Sequence, residues 1–436
     1  MTVRDDLDRH VAAWLATDAP TSPPEHLLGD VLARTARTRR RSAWRIPERW
    51  IPMSAITSRF ASSPSVPWRT IAVAALLIAL IAGALLVAGS LRQRVPPPFG
   101  PAANGTVYFS VNGDLMAADS PTGTPRKILA GDTVDNGPLL SPDGTKMVFV
   151  RGLIGGEKAQ LWTAAPDVSA PRKLVDAPGI GWAEWSPLSD TLAVLRDDST
   201  STILMVDATN GSTREINTGL AAVSGVLWRP PDGAQLSFRA RDSSDRWGIY
   251  LIGRDGSGLQ RLDLDVGFES DPGYLSMSGT YFEGHIWSPD GSMIVYHGPE
   301  PTAGTSTTDH QRNHVATVDR AGRVTGDRVL EFDPTADDEV APAWLDDNSI
   351  LYQAIKGSEQ RLLVGSVLDG STRDLNVVGD DWMPVTISPD TKTAIVSLPI
   401  FGSSVRDIQV VDLETGLATP TELGADDISW QRLAQP

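Results

Sequence analysis

Ten residues of this 436-residue chain have types and positions suited to holding a cation: Asp135, Glu283, Asp338, Glu339, Asp380, Asp381, Asp426 and Asp427, joined by Trp182 and Trp382. Each lies a few residues ahead of a recurring aromatic or aliphatic position, so carboxylates return at one point of a repeat. If the repeats surround an axis, equivalent carboxylates converge, raise the local potential and favour a cation, a polyamine or a basic peptide, and an indole face adds cation–π attraction. The plainer alternative is a share in an acidic surface that keeps the domain in solution.

Other chemistry is sparse. No G-x-S-x-G nucleophile elbow occurs, and the Ser-x-Asp-Gly turns lack the residue that a sialidase Asp-box places between Asp and Gly. His310 and His314, with Asp309, would share a face at i and i+4 on a helix and could bind a metal. The surrounding Pro, Gly and Thr disfavour that helix, so no metal site is expected. His285, beside an anchor tryptophan, reads as a packed structural histidine, and Asp207, Asp319 and Asp412 read as turn formers. The absence of cysteine removes disulfides, thiolate zinc sites and cysteine nucleophiles together. Neither an enzyme nor a cofactor is expected.

The elements that would position the acids come from a repeat starting near Gly105. Its anchors, Leu140, Trp185, Trp228, Trp287, Trp344, Ile387 and Trp430, are spaced by 45, 43, 59, 57, 43 and 43 residues. A four-stranded propeller blade takes about 40 to 50. After most anchors comes a reversal, as in Ser141-Pro-Asp-Gly144, Ser288-Pro-Asp-Gly291 and Ser388-Pro-Asp-Thr391. Proline presets φ, aspartate bonds nearby backbone N–H groups and glycine accepts positive φ. Short apolar strands follow, such as Met147–Val150 and Met293–Tyr296. The first repeat lacks its innermost strand, and the chain finishes on an anchor strand at Asp427–Leu433. Joining the two closes a ring without exposed sheet edges. The expectation is therefore an all-β, seven-bladed β-propeller over 105–436, with six or eight blades as the alternatives.

The repeated Trp-Ser-Pro-Asp-Gly, best kept at Trp287–Gly291, resembles the WD-like repeat of TolB-type β-propellers. That resemblance implies a periplasmic or extracellular protein-binding platform, although the same repeat decorates peptidases of the prolyl oligopeptidase type.

Ahead of the repeat, Ile71–Leu91 carries no charge, and at ~1.5 Å per residue it covers about the ~30 Å of a bilayer core. It is expected to be one transmembrane helix, 70–91. Eleven arginines precede it and only Arg92 and Arg94 follow closely. The positive-inside rule places 1–69 in the cytoplasm and the repeat outside. Residues 1–95 carry 13 Arg and 7 Asp/Glu, which leaves a net −22 on the remainder. The outer part should repel nucleic acid. Residues 1–69 read as a helical and basic segment, with apolar stripes at Leu7, Val11, Trp14 and Leu15 and at Leu27, Leu28, Val31 and Leu32. Residues 92–104, with Pro96-Pro97-Pro98, read as a stiff spacer.

Short helices plus a single span also resemble a membrane-anchored anti-sigma factor, but the His/Cys zinc pattern of that family is missing. Two main expectations follow. One is an outer binding or sensing module, with a protein partner outside and a cytoplasmic partner such as a sigma factor at 1–69. The other is a passive envelope scaffold on a simple anchor, and a propeller hydrolase ranks third.

Overall fold

The computed structural model describes Ala13, Leu76, Leu77 and residues 95–435, apart from 197–200, 267–284, 300–310, 380–382, 400–405 and 425–426. Met1–Arg92 and Gln93–Pro436 are separate units, and the second holds the strands. Ala13, Leu76 and Leu77 are helical and exposed. The helices expected within 1–69 and the span expected at 70–91 otherwise lie outside the described residues. Among those described, no helix is long and apolar enough to cross a membrane.

The strands run β1 (Ala103–Val111), β2 (Asp114–Ala118), β3 (Arg126–Leu129), β4 (Asp135–Leu140), β5 (Met147–Arg151), β6 (Gln160–Ala164), β7 (Arg172–Asp176), β8 (Ile180–Trp185), β9 (Thr191–Arg196) and β10 (Thr202–Asp207). There follow β11 (Thr213–Asn217), β12 (Ala221–Trp228), β13 (Gln235–Arg241), β14 (Trp247–Gly253), β15 (Gln260–Arg261), β16 (His285–Trp287), β17 (Met293–Pro299), β18 (Gln311–Val318) and β19 (Val324–Val329). The last are β20 (Asp338–Trp344), β21 (Ser349–Lys356), β22 (Glu359–Ser366), β23 (Thr372–Gly379), β24 (Val385–Ile387), β25 (Thr393–Pro399), β26 (Arg406–Asp412), β27 (Ala418–Pro420) and β28 (Ser429–Leu433).

They form seven four-stranded antiparallel sheets. Blade 1 is β28-β1-β2-β3, and blades 2 to 7 take four consecutive strands each, from β4–β7 to β24–β27. The architecture is a seven-bladed β-propeller. First strands of neighbouring blades meet around the axis, as β28 does with β4 and β8 with β12. Fourth strands face solvent: β27 is exposed throughout, and β11 buries only Ile216. Second strands are covered on both faces, which explains why Leu192–Leu195 is an unbroken apolar run rather than an alternating one.

Seven hydrophobic clusters hold the ring, one at each blade–blade contact. Leu161 and Trp185 belong to the cluster between blades 2 and 3. Phe109, Ile395 and Trp430 belong to the one that joins blade 7 back to blade 1. The indole N–H of each of three anchors also bonds a first-strand carbonyl of the preceding blade: Trp185 to Leu139 at 3.1 Å, Trp228 to Glu184 at 3.2 Å and Trp344 to Ile286 at 3.2 Å. Buried indoles need such a partner.

The turns repeat their hydrogen bonds as faithfully as their sequence. Ser141, Ser288 and Ser388 each donate the hydroxyl to the aspartate two residues on, at 2.6 to 2.7 Å. The backbone N–H of each of those aspartates then donates to a side chain of the next blade, Ser189, Asp347 or Asn104. Gly144 and Gly291 have φ of 69° and 70°. A Cβ on either would strike the carbonyl of Arg432 or Pro230 on the preceding blade. The glycine thus sets blade spacing as well as the turn. In the decayed turns Ser189 and Thr391 hold the same left-handed conformation at φ 56° and 59°.

Closure follows the expectation. β28 pairs antiparallel with β1 through Val107 with Trp430 and Tyr108 with Ser429, and the Trp430 indole donates to Gly105 at 3.1 Å.

Candidate functional site

The channel has two mouths. The connections into first strands, together with those joining second to third strands, open on one of them. The Ser-Pro-Asp-Gly turns surround the other.

Of the ten acidic and aromatic residues singled out in the sequence, Asp135, Trp182, Asp338, Glu339 and Asp427 are described, in or just ahead of the first strands of blades 2, 3, 6 and 1. Asp135 heads β4 but is 1 % exposed. It accepts from Arg151 Nε at 2.7 Å and Nη2 at 3.1 Å, and from the Thr133 hydroxyl at 2.9 Å. Arg151 in turn lies 4.1 Å from the Trp162 ring centre. Glu339, second in β20, is fully buried and accepts from the Asp333 N–H at 2.9 Å. Burial pushes its carboxyl up to about 7, against the Asp333 N–H bond and the nearby Arg312 charge. Asp338, at the start of β20, and Asp427, just ahead of β28, are half-buried on blades 6 and 1. Trp182 lies within β8. Glu283, Asp380, Asp381, Trp382 and Asp426 lie outside the described residues.

At the turn-side mouth the proline-rich segment does not stand clear of the domain. Phe99 packs against the cluster between blades 3 and 4. Arg432 Nη2 donates to the carbonyls of Pro97, at 2.9 Å, and Gly100. Ala102 N–H donates to the Pro389 carbonyl at 2.7 Å. Pro98, Phe99 and Gly100 line a cavity of about 260 Å3. Its inner wall comes from Glu184, Leu227, Ile286 and Ala343, the residues just before the anchors of four consecutive blades. The anchors Trp228, Trp287 and Trp344 line it too, with Arg432 of blade 1.

Glu184 lies deep in the channel while keeping part of its surface open to water, and burial alone pushes its carboxyl up to about 8. Burial likewise brings Arg432 down to about 10. Neither residue was singled out from the sequence. The signal was present, because the positions preceding the seven anchors read Leu139, Glu184, Leu227, Ile286, Ala343, Thr386 and Ser429, with a single ionisable group among them.

His314 lies in a strand, β18, rather than on the helix weighed for it, and Asp309 and His310 lie outside the described residues. Its ring is 5.1 Å from that of Tyr296, whose hydroxyl donates to Asp327 at 2.7 Å. Among the described residues no three His, Asp or Glu side chains group around a metal position. Asp207, Asp319 and Asp412 each accept backbone N–H bonds within their own turn.

The fold thus defines a β-propeller of seven blades, and known structures share it. The β-propeller domain of the Trilobed protease from Pyrococcus furiosus is 15 % identical at a TM-score of 0.50, over 75 % of this chain and 95 % of that one. That domain has an open velcro topology, whereas here β28 completes blade 1. A prolyl endopeptidase is 16 % identical at 0.51 over 73 % of this chain, which spans about half (49 %) of the enzyme. TolB from Acinetobacter baumannii is 14 % identical at 0.46, over 76 % of this chain and 81 % of that one. At these identities the likeness is one of fold. No family model matches the chain.

Proposed function

We propose that this protein is a membrane-anchored, extracytoplasmic β-propeller that binds a ligand or protein partner rather than catalysing a reaction, and that it reports the binding to a cytoplasmic partner of residues 1–69, such as a sigma factor. The observation carrying this reading is the asymmetry of the ring. One mouth is lined by Pro98, Phe99 and Gly100, and the strands that bound the other are separated in sequence by the widest intervals, Arg261 to His285 and Pro299 to Gln311. Loops on a rigid scaffold are where binding surfaces are built. The uncharged Ile71–Leu91 stretch, in which Leu76 and Leu77 are helical and exposed, supports the anchor, and the arginines before it support the orientation. The lack of a nucleophile elbow supports binding over hydrolysis.

The acidic residues of the open mouth are part of this proposal as a site for a basic peptide or polyamine, carried by Asp338, Asp380, Asp381, Asp426 and Asp427 with Glu283, Trp182 and Trp382. Asp135 and Glu339, turned inward to Arg151 and Asp333, serve the scaffold.

The chain has no cysteine, so Ser42→Cys and Ser212→Cys variants test the topology with a membrane-impermeant thiol reagent on intact cells. Ser212 is exposed at a blade's outer turn and should label, while position 42 should not. The reverse pattern overturns the orientation.

A further inference from the structure

The cavity between the Pro98–Gly100 segment and the inner strands holds an acid, Glu184, and a base, Arg432, that do not pair. Glu184 has no side-chain hydrogen bond among the described residues, and no cation contributes to its shifted titration. Arg432 gives its Nη2 to two neutral carbonyls and leaves Nε without a partner. Carboxylate and guanidinium each prefer a counter-charge once removed from water, and an unmet buried polar atom costs stability. Glu184 is not needed by the repeat: at the other six equivalent positions the ring closes on apolar or hydroxyl side chains.

From this geometry we infer that the cavity binds a small zwitterion of amino-acid size, its ammonium on the Glu184 carboxylate and its carboxylate on Arg432. A lone anion would face Glu184 and a lone cation would face Arg432, so the pair selects a molecule carrying both charges. The indoles of Trp228, Trp287 and Trp344 supply apolar walls, and an indole also favours an ammonium. About 260 Å3 admits a free α-amino acid with a small apolar side chain and excludes a folded partner. Phe99 borders the same space, so the ligand would touch the segment that leads from residue 92. Among the described residues Glu184 and Arg432 are the only titratable ones lining the cavity. Glu184 must ionise to receive the ammonium, so binding releases a proton near neutral pH and tightens as pH rises towards 8.

This inference rests on the reading of the propeller as a ligand-binding module, yet it is tested separately. The full-length protein in lipid nanodiscs is titrated calorimetrically with L-valine, with isobutylamine and with isobutyrate. The expected result is saturable binding of L-valine, at least tenfold weaker binding of the two single-charge probes, and a similar loss in Glu184→Gln. The heat should also vary with the ionisation enthalpy of the buffer. Glu184→Gln removes a buried ionisable group, and its melting temperature at pH 7, equal to or above that of the wild type, shows that it folds. Equal binding of L-valine by wild type and Glu184→Gln overturns the assignment, as does the absence of binding by L-valine and every other small apolar α-amino acid. Failure here leaves the thiol-labelling result standing, and failed labelling leaves this titration standing.

Discussion

The two mouths of the propeller are built by opposite rules. On the turn side, three Ser-Pro-Asp turns make the same internal bonds and pass a backbone N–H to the next blade in the same way. At the opposite mouth, chemically similar acids at matching positions are held differently: Asp135 is locked to the Arg151 guanidinium, whereas Glu339 accepts the Asp333 backbone N–H. Repetition marks what holds the ring, and departure from repetition marks what the ring carries. Glu184, a single carboxylate among seven equivalent positions, is a departure within the channel itself.

The largest expected effect would break that comparison at its base. Deleting 427–436 removes the inner strand of blade 1 together with Trp430, where loss of the indole alone costs about 3 to 5 kcal/mol. Cooperative thermal unfolding followed by circular dichroism should be lost or move down markedly. An unchanged melt would mean that closure contributes nothing.

A smaller effect sharpens the contrast among the acids. Asp135→Asn leaves Arg151 with a neutral partner in a largely buried pair and should destabilise the fold by about 2 to 4 kcal/mol in urea unfolding. A change under about 0.5 kcal/mol, the range of ordinary surface substitutions, would return Asp135 to the acidic mouth.

The smallest effect concerns pH. Glu184 and Glu339 hold protons in the folded chain up to about 8 and about 7, against 4.5 when unperturbed. A folded state that binds more protons than the unfolded one loses stability as pH rises, so this contribution falls between about 4.5 and 8. Glu184→Gln should therefore melt like the wild type near pH 4.5 and a few degrees higher at pH 8.5. Parallel melting curves across that range would show that Glu184 stays well hydrated.

Anchors, turns and closure were legible because they recur: Trp185, Trp228, Trp287, Trp344 and Trp430 announce themselves by spacing, and each proved to lie between blades. The direction of the acids was not legible, for a local reason. The first strands shift register between Asn136 and Leu139, between Ile180 and Trp182, and between Val340 and Ala343. A bulge changes which face each residue presents, so the spacing ahead of the anchor does not tell that Asp135 and Glu339 are buried. The proline run failed differently. Composition gives Pro96–Pro98 its stiffness, but only the ring brings Arg432, distant in sequence, to the carbonyls of Pro97 and Gly100.

Ring closure also sets an order in time. The strand that completes blade 1 is made last, and Trp430 stands 325 residues after the Gly105 carbonyl it bonds. At ~5 to 20 residues per second, β1 waits roughly 15 to 65 s for its neighbour. Throughout that interval its free edge can template pairing with another nascent chain. Blades 2 to 7 must therefore stack without the ring to restrain them, and the final few residues decide whether each copy closes on itself or joins the next.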